Sequence, residues 1–95
     1  MAIQSFKDER LRGLLRGVVP GKGFPATLAR IAQRKLVLLD SAISLDDLRD
    51  PPGNKLEALR GDRRGQHSVR VNEQFRLCFV WTEAGPKDVE FVDYH

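Results

Sequence analysis

The stretch that decides the fold is FRLCFVWT, Phe75 to Thr82. Read with period two, it puts Phe75, Leu77, Phe79 and Trp81 on one face and Arg76, Cys78, Val80 and Thr82 on the other. Both faces are partly apolar, which is what a central strand requires and an edge strand does not. A central strand needs neighbours on both sides. Upstream, Ser68-Val69-Arg70-Val71 alternates polar with apolar, and Asn72-Glu73 supplies the turn between the two runs. Downstream, Gly85-Pro86 is read as a break, followed by a last strand from Val89 to Tyr94. Gly61-Asp62-Arg63-Arg64-Gly65 reads as a further turn, with a short strand around Leu56 and Leu59 before it.

The N-terminal half has a different period. Ile3 and Phe6 suggest a short first strand, and Ser5 with Asp8 has the spacing of a capping box. Leu11, Leu14, Leu15 and Val18 then follow at i, i+3, i+4 and i+7, the stripe of a first helix. Pro20 to Pro25 holds two prolines and two glycines, a turn. A second helix reads from Pro25 or Ala26 through Leu28, Ile31, Ala32, Leu36, Leu39, Ala42 and Ile43, after which Ser44 to Leu48 forms a capped turn and Asp50-Pro51-Pro52-Gly53-Asn54 a breaker. The expectation is an α+β fold, a single domain over residues 1–95, in which two N-terminal helices are packed on a small, mainly antiparallel, twisted β-sheet.

Composition narrows the function classes. The 95 residues are 41% hydrophobic and 31% charged, a globular balance without low complexity or internal repeats. Cys78 is the only cysteine, which excludes an intrachain disulfide and a cysteine-based zinc site and suits the cytoplasm. Lys7, Asp8, Glu9, Arg10, Arg12 and Arg16 interrupt the first twenty residues, so neither a secretory signal nor a membrane association is expected. The net charge of +3 is unevenly spread, with residues 1–44 and 60–76 basic and residues 45–59 and 77–95 acidic. Arg60, Arg63, Arg64, Arg70 and Arg76 make the second basic stretch purely arginine, the side chain whose planar fork matches phosphate oxygens. The same excess also serves plain solubility.

Two other chemistries are set aside. Gly17 to Lys22 is one residue short of a nucleotide-binding phosphate loop and has Gly23 where a hydroxyl is required. His67 and His95, the only histidines, stand far apart without carboxylates at ligand spacing, so no metal is expected.

The run Lys55-Leu56-Glu57-Ala58-Leu59-Arg60-Gly61-Asp62-Arg63-Arg64-Gly65-Gln66, then Ser68 to Val71, Phe75 to Phe79 and the closing Asp93-Tyr94-His95, resembles the HigB toxins of the RelE superfamily. The likeness extends to Ile3 to Lys7 and the helical segment. Glu57 stands where that family often carries His, and His67 where it often carries an aromatic residue. The resemblance implies a RelE-like fold and the toxin half of a type II toxin–antitoxin module, also called a plasmid maintenance system killer protein. It further implies a metal-independent endoribonuclease that cuts mRNA in the ribosomal A site, with no cofactor. The partners implied are the ribosome, mRNA and a cognate helix-turn-helix antitoxin (HigA-like), with operator DNA contacted only through that antitoxin.

Cleavage of this kind uses the 2′-OH as nucleophile and needs a proton acceptor, a proton donor and positive charge at the phosphate. Arg76 on the central strand is the candidate for phosphate stabilisation; its alternative is a structural ion pair with Asp93 or Glu90. Glu57 or Asp93 is the candidate proton acceptor and His95 the candidate donor, with Tyr94 a candidate to stack on a base or orient the phosphate. Lys55, Arg60, Arg63, Arg64 and Arg70 form the RNA- and ribosome-binding rim, with Arg63 and Arg64 positioning phosphates. A non-catalytic module that binds nucleic acid or only the antitoxin is the alternative.

Overall fold

The structure, a computed structural model, describes residues 2–93. Among them the chain forms a short helix α1 (Arg10–Leu15), a long helix α2 (Ala29–Ser41), and strands β1 (Glu57–Ala58), β2 (His67–Arg70), β3 (Phe75–Thr82) and β4 (Gly85–Asp93). The four strands make one antiparallel sheet in the order β1-β2-β3-β4. β3 is interior, as its two-faced apolar pattern requires. Its Leu77 and Phe79 are buried against Leu11, Leu14, Leu36 and Leu39 of the helices, together with Val69 and Val89 of the neighbouring strands. Phe24, Phe91 and Phe75 extend this core, each adjacent pair of rings 4.7 Å apart.

The helical layer is one long helix preceded by a six-residue one, which stops short of the stripe expected through Val18 and falls short of the two helices expected. The physical reason lies at Gly17. Its φ of 92° is left-handed, and the N–H groups of Gly17 and Val18 donate to the carbonyls of Leu14 and Gly13 (2.9 Å each). This pair of bonds is a Schellman closure, which ends α1 and leaves Val18 62% exposed. The start differs too. Ser5 does not cap α1, because its hydroxyl accepts from the Asp88 backbone N–H at 2.9 Å and donates to Asp88 Oδ1 at 3.2 Å. Glu9 occupies the N-cap without a side-chain bond.

α2 buries Ala29, Ala32, Leu36 and Leu39, then stops at Ser41, so Ile43 is 79% exposed instead of extending the stripe. The next turn is the capped one expected: Asp47 Oδ2 accepts the N–H groups of Ile43 and Ser44 at 2.9 and 3.1 Å. These bonds hold the Asp47 carboxyl below the usual range.

Three strand boundaries move. The segment around Ile3 and Phe6 is reduced to one parallel bridge from Phe6 to Val89 on the outer side of β4. The strand near Leu56 and Leu59 shrinks to Glu57–Ala58. Gly85-Pro86 opens β4 instead of breaking the sheet: Pro86 pairs with Trp81, and its carbonyl accepts from Gln4 N–H at 2.7 Å. Proline is tolerated there because the ladder needs no donor from it. None of the helices in the described residues is long and apolar enough to cross a membrane.

Candidate functional site

Strand register assembles the site on the sheet face turned away from the helices. Glu57 lies opposite Ser68, Ser68 opposite Cys78, and Cys78 opposite Glu90, a row across all four strands. Arg70 and Arg76 face each other one step along. Since i and i+2 share a face, Arg76 projects on the side of Cys78 and Ser68.

The Arg76 side chain is only 13% exposed. Its Nε donates to Ser68 Oγ at 2.7 Å and its Nη2 to the Lys55 carbonyl at 2.5 Å, while Nη1 stands 3.7 Å from Glu57 Oε1. Arg76 thus stands in an ion pair with Glu57, and Glu90 is engaged by Arg63. Lys55 delivers its carbonyl through a left-handed backbone, φ 46°, at the end of the Pro52–Asn54 turn. That turn is pinned by buried Asn54, which accepts from Lys35 Nζ at 2.5 Å and donates to the Leu48 carbonyl at 3.1 Å. Burial pushes the Lys35 ammonium down. Beside Arg76 opens a hollow of about 350 Å³ lined by Lys55, Arg70, Asn72, Glu73 and Arg76. Three of these five side chains are cationic, a setting for an anion of phosphate size.

The remaining rim arginines divide. Arg63 turns inward: its Nη1 donates to Glu90 Oε1 at 2.6 Å and to Gln66 Oε1 at 3.1 Å, tying the Gly61–Arg63 turn to β4. Gly61 and Gly65, both at positive φ, shape this turn. Arg60 and Arg64 are exposed and line a second hollow of about 380 Å³ with Leu59 and Gly61. Expected alike as phosphate-positioning residues, Arg63 and Arg64 have different surroundings, because only Arg63 meets a carboxylate of β4.

Asp93 pairs with Phe75, one position off the Arg76–Val92 pair, and so falls on the opposite face from Arg76. Its Oδ2 accepts from Gln74 Nε2 at 3.0 Å. Tyr94 and His95, the other C-terminal candidates, lie outside the described residues. Among the described residues no three His, Cys, Asp or Glu side chains gather as a metal-ligand set. His67 lies on the helix side, stacked on Phe79 with ring centres 6.4 Å apart. Sequence reasoning missed Ser68, which is fully buried, and Asn72, whose Oδ1 accepts the N–H groups of Gln74 and Phe75. The only sequence signal for Ser68 was its place on the polar side of an alternating strand beside Arg70.

The family model described as the RelE-like toxin of type II toxin-antitoxin system HigB matches residues 4–95. A protein named Toxin HigB-1 from Vibrio cholerae is 40% identical over 83 residues, covering 87% of this chain and 86% of that one. One named Endoribonuclease HigB from Proteus vulgaris is 31% identical over 94 residues, covering 98% and 99%. Among solved structures, the YoeB-YefM complex from Staphylococcus aureus matches with a TM-score of 0.61 at 17% identity, over 100% of this chain and 97% of that chain, a likeness of fold.

Proposed function

The chain belongs to the HigB-like toxins, RelE-like toxins of type II toxin–antitoxin systems, and from that membership we propose that it is an endoribonuclease cutting mRNA on the ribosome and thereby arresting translation. The observation that carries this reading is the fixed Arg76 guanidinium beside Glu57, at the wall of a hollow that also holds Lys55 and Arg70.

In the proposed reaction the 2′-oxygen attacks the adjacent phosphorus, the bond from phosphorus to the 5′-oxygen breaks, and a 2′,3′-cyclic phosphate and a 5′-hydroxyl result. Glu57 takes the 2′-OH proton; of the two carboxylates considered, it is the one beside Arg76. Arg76 stabilises the negative charge that builds on the phosphate oxygens, where a pre-positioned cation is worth most. His95 gives a proton to the leaving 5′-oxygen and Tyr94 stacks on a base, roles taken from the family resemblance. Arg60, Arg64, Lys55 and Arg70 hold flanking phosphates of mRNA or ribosomal RNA. The partner that restrains the toxin is a HigA-like helix-turn-helix antitoxin from the same operon, through which alone the complex meets operator DNA, and the setting is the cytoplasm.

Inducing the chain alone should stop growth, and primer extension should find cuts in a translated transcript but not in an untranslated copy of it. Equal cutting of both copies overturns ribosome dependence; intact mRNA during growth arrest overturns nuclease action and leaves a binding module. Co-expression of a neighbouring helix-turn-helix gene should restore growth.

A further inference from the structure

An arginine is useful at a developing charge only if its flexible side chain is held in one orientation, and the surroundings of Arg76 show how that is done. We propose that Ser68 is the positioning residue that aims Arg76. This rests on the reading of Arg76 as the phosphate-holding group, and its mechanism is visible in the hydrogen bonds.

Nε–H and one N–H of Nη2 form a single edge of the guanidinium. That edge is occupied by two neutral acceptors, Ser68 Oγ at 2.7 Å and the Lys55 carbonyl at 2.5 Å. The end bearing Nη1 is thereby turned toward Glu57 and the hollow. Neutral acceptors matter here. A carboxylate on the same edge would orient the group equally well but cancel the positive charge needed at a phosphate. The hydroxyl fixes direction and leaves the charge.

Size and place fit the same role. Ser68 sits in β2 directly between Glu57 and Cys78 in the cross-sheet row, on the face away from the helices, yet it is fully buried. Its Oγ reaches Arg76 Nε at 2.7 Å, so a side chain longer than that of Ser or Thr would displace the guanidinium. A serine on a half-buried strand has no packing reason to be preferred over a β-branched residue, whereas as an acceptor for Nε it has a chemical one.

The test uses the full chain and four variants: Ser68→Ala, Ser68→Thr, Arg76→Ala and the double Ser68→Ala/Arg76→Ala. Thermal melts first establish that each is folded. With saturating toxin on programmed ribosomes, Ser68→Ala should cut roughly 10- to 100-fold more slowly in a single turnover, the upper end being the cost of about 1 Å of misplacement. Its ribosome affinity should be unchanged, and Ser68→Thr, which keeps the hydroxyl, should recover most of the rate. In the Arg76→Ala background the Ser68 change should add nothing, because there is no guanidinium left to aim. Equal losses in both backgrounds would overturn the proposal, since a residue acting on the fold alone lowers the rate whether or not Arg76 is present.

A second readout does not depend on cleavage. The Arg76 Nε–H resonance, assigned by its loss in Arg76→Ala, should be protected from solvent exchange in the parent chain and in Ser68→Thr, and unprotected in Ser68→Ala. Persistent protection in Ser68→Ala overturns the proposal. If the parent chain does not cut programmed ribosomes, the nuclease reading fails, and this resonance alone decides whether Ser68 holds Arg76.

Discussion

Arg76 on β3 and Glu57 on β1 meet over the intervening β2, with Nη1 3.7 Å from Oε1. The spacing is that of an ion pair without a close hydrogen bond. Glu57 is 52% exposed whereas Arg76 is 13% exposed, so the carboxylate is the movable member and the guanidinium the fixed one. On the proposed reading an arriving phosphate would compete for Arg76, with Glu57 staying within reach of it.

Glu57→Gln keeps size and hydrogen bonding but removes proton-accepting power. Single-turnover cleavage on programmed ribosomes should fall by about 10²–10⁴-fold, the usual worth of general-base help, while ribosome binding is maintained. Cleavage at the parent rate would move the acceptor role away from Glu57.

Arg63 and its neighbours should separate into two phenotypes. Arg63→Ala breaks the bonds to Glu90 and Gln66 and should cost roughly 1–2 kcal/mol of stability, a charge-assisted hydrogen bond discounted for partial exposure. Changing Arg60 and Arg64 together to Ala should leave urea unfolding unaltered but weaken RNA binding and reduce its log–log salt slope by about 1–2. A salt slope lowered only by Arg63→Ala would reverse these assignments.

Removing Tyr94 and His95 tests the roles that the family resemblance gives them. The truncated chain should melt at the parent temperature yet lose at least about 10²-fold in cleavage rate. Full toxicity in a folded truncated chain would return both residues to a structural or dispensable role.

The Asp8–Arg10 pair gives a pH dependence with a definite sign. The hydrogen bond from Arg10 holds the Asp8 carboxyl below its ordinary 3.8. A group whose folded pKa is depressed stabilises the fold above its unfolded value and loses that contribution as pH falls through the folded one. Asp8→Asn should therefore be less stable than the parent at neutral pH, with the difference shrinking in acid below the ordinary carboxylate pKa. A gap independent of pH, followed by urea unfolding, would mean that Asp8 acts only as a neutral helix-start residue.

Cys78 should be chemically silent in the native protein. It is fully buried, and that burial pushes its thiol up, with Arg63 and Arg76 pulling the other way and Glu90 adding to the rise. Disulfide reagents at mildly alkaline pH should react with it only after unfolding in guanidinium, since the thiolate is the reactive form. Rapid labelling of the native chain would show that the sheet face opens around it.

Local physics made the class of this protein legible in its sequence. The two-faced run Phe75 to Thr82 identified the interior strand, the turn residues Gly61 to Gly65 marked the connection before β2, and the spacing of Ala32, Leu36 and Leu39 identified α2. Each of these signals needs only neighbours within a few positions. Arg76 and Glu57 also stand out in the sequence as candidates, Glu57 on the strength of a family resemblance. Their proximity was not legible, because it depends on register: a one-residue slip of β2 would turn Ser68 to the helix side and leave Arg76 without its acceptor. The same holds for Arg63, whose partner Glu90 lies 27 residues away and is reached only once β4 has docked. Tertiary structure likewise decided that Pro86 belongs to β4 and that Ser5 serves Asp88 instead of a helix. A side chain with several possible hydrogen-bond partners takes the one that packing brings within reach. For Ser5 and Arg63 that partner comes from a distant part of the chain, and for Ser68 from the paired strand across one turn.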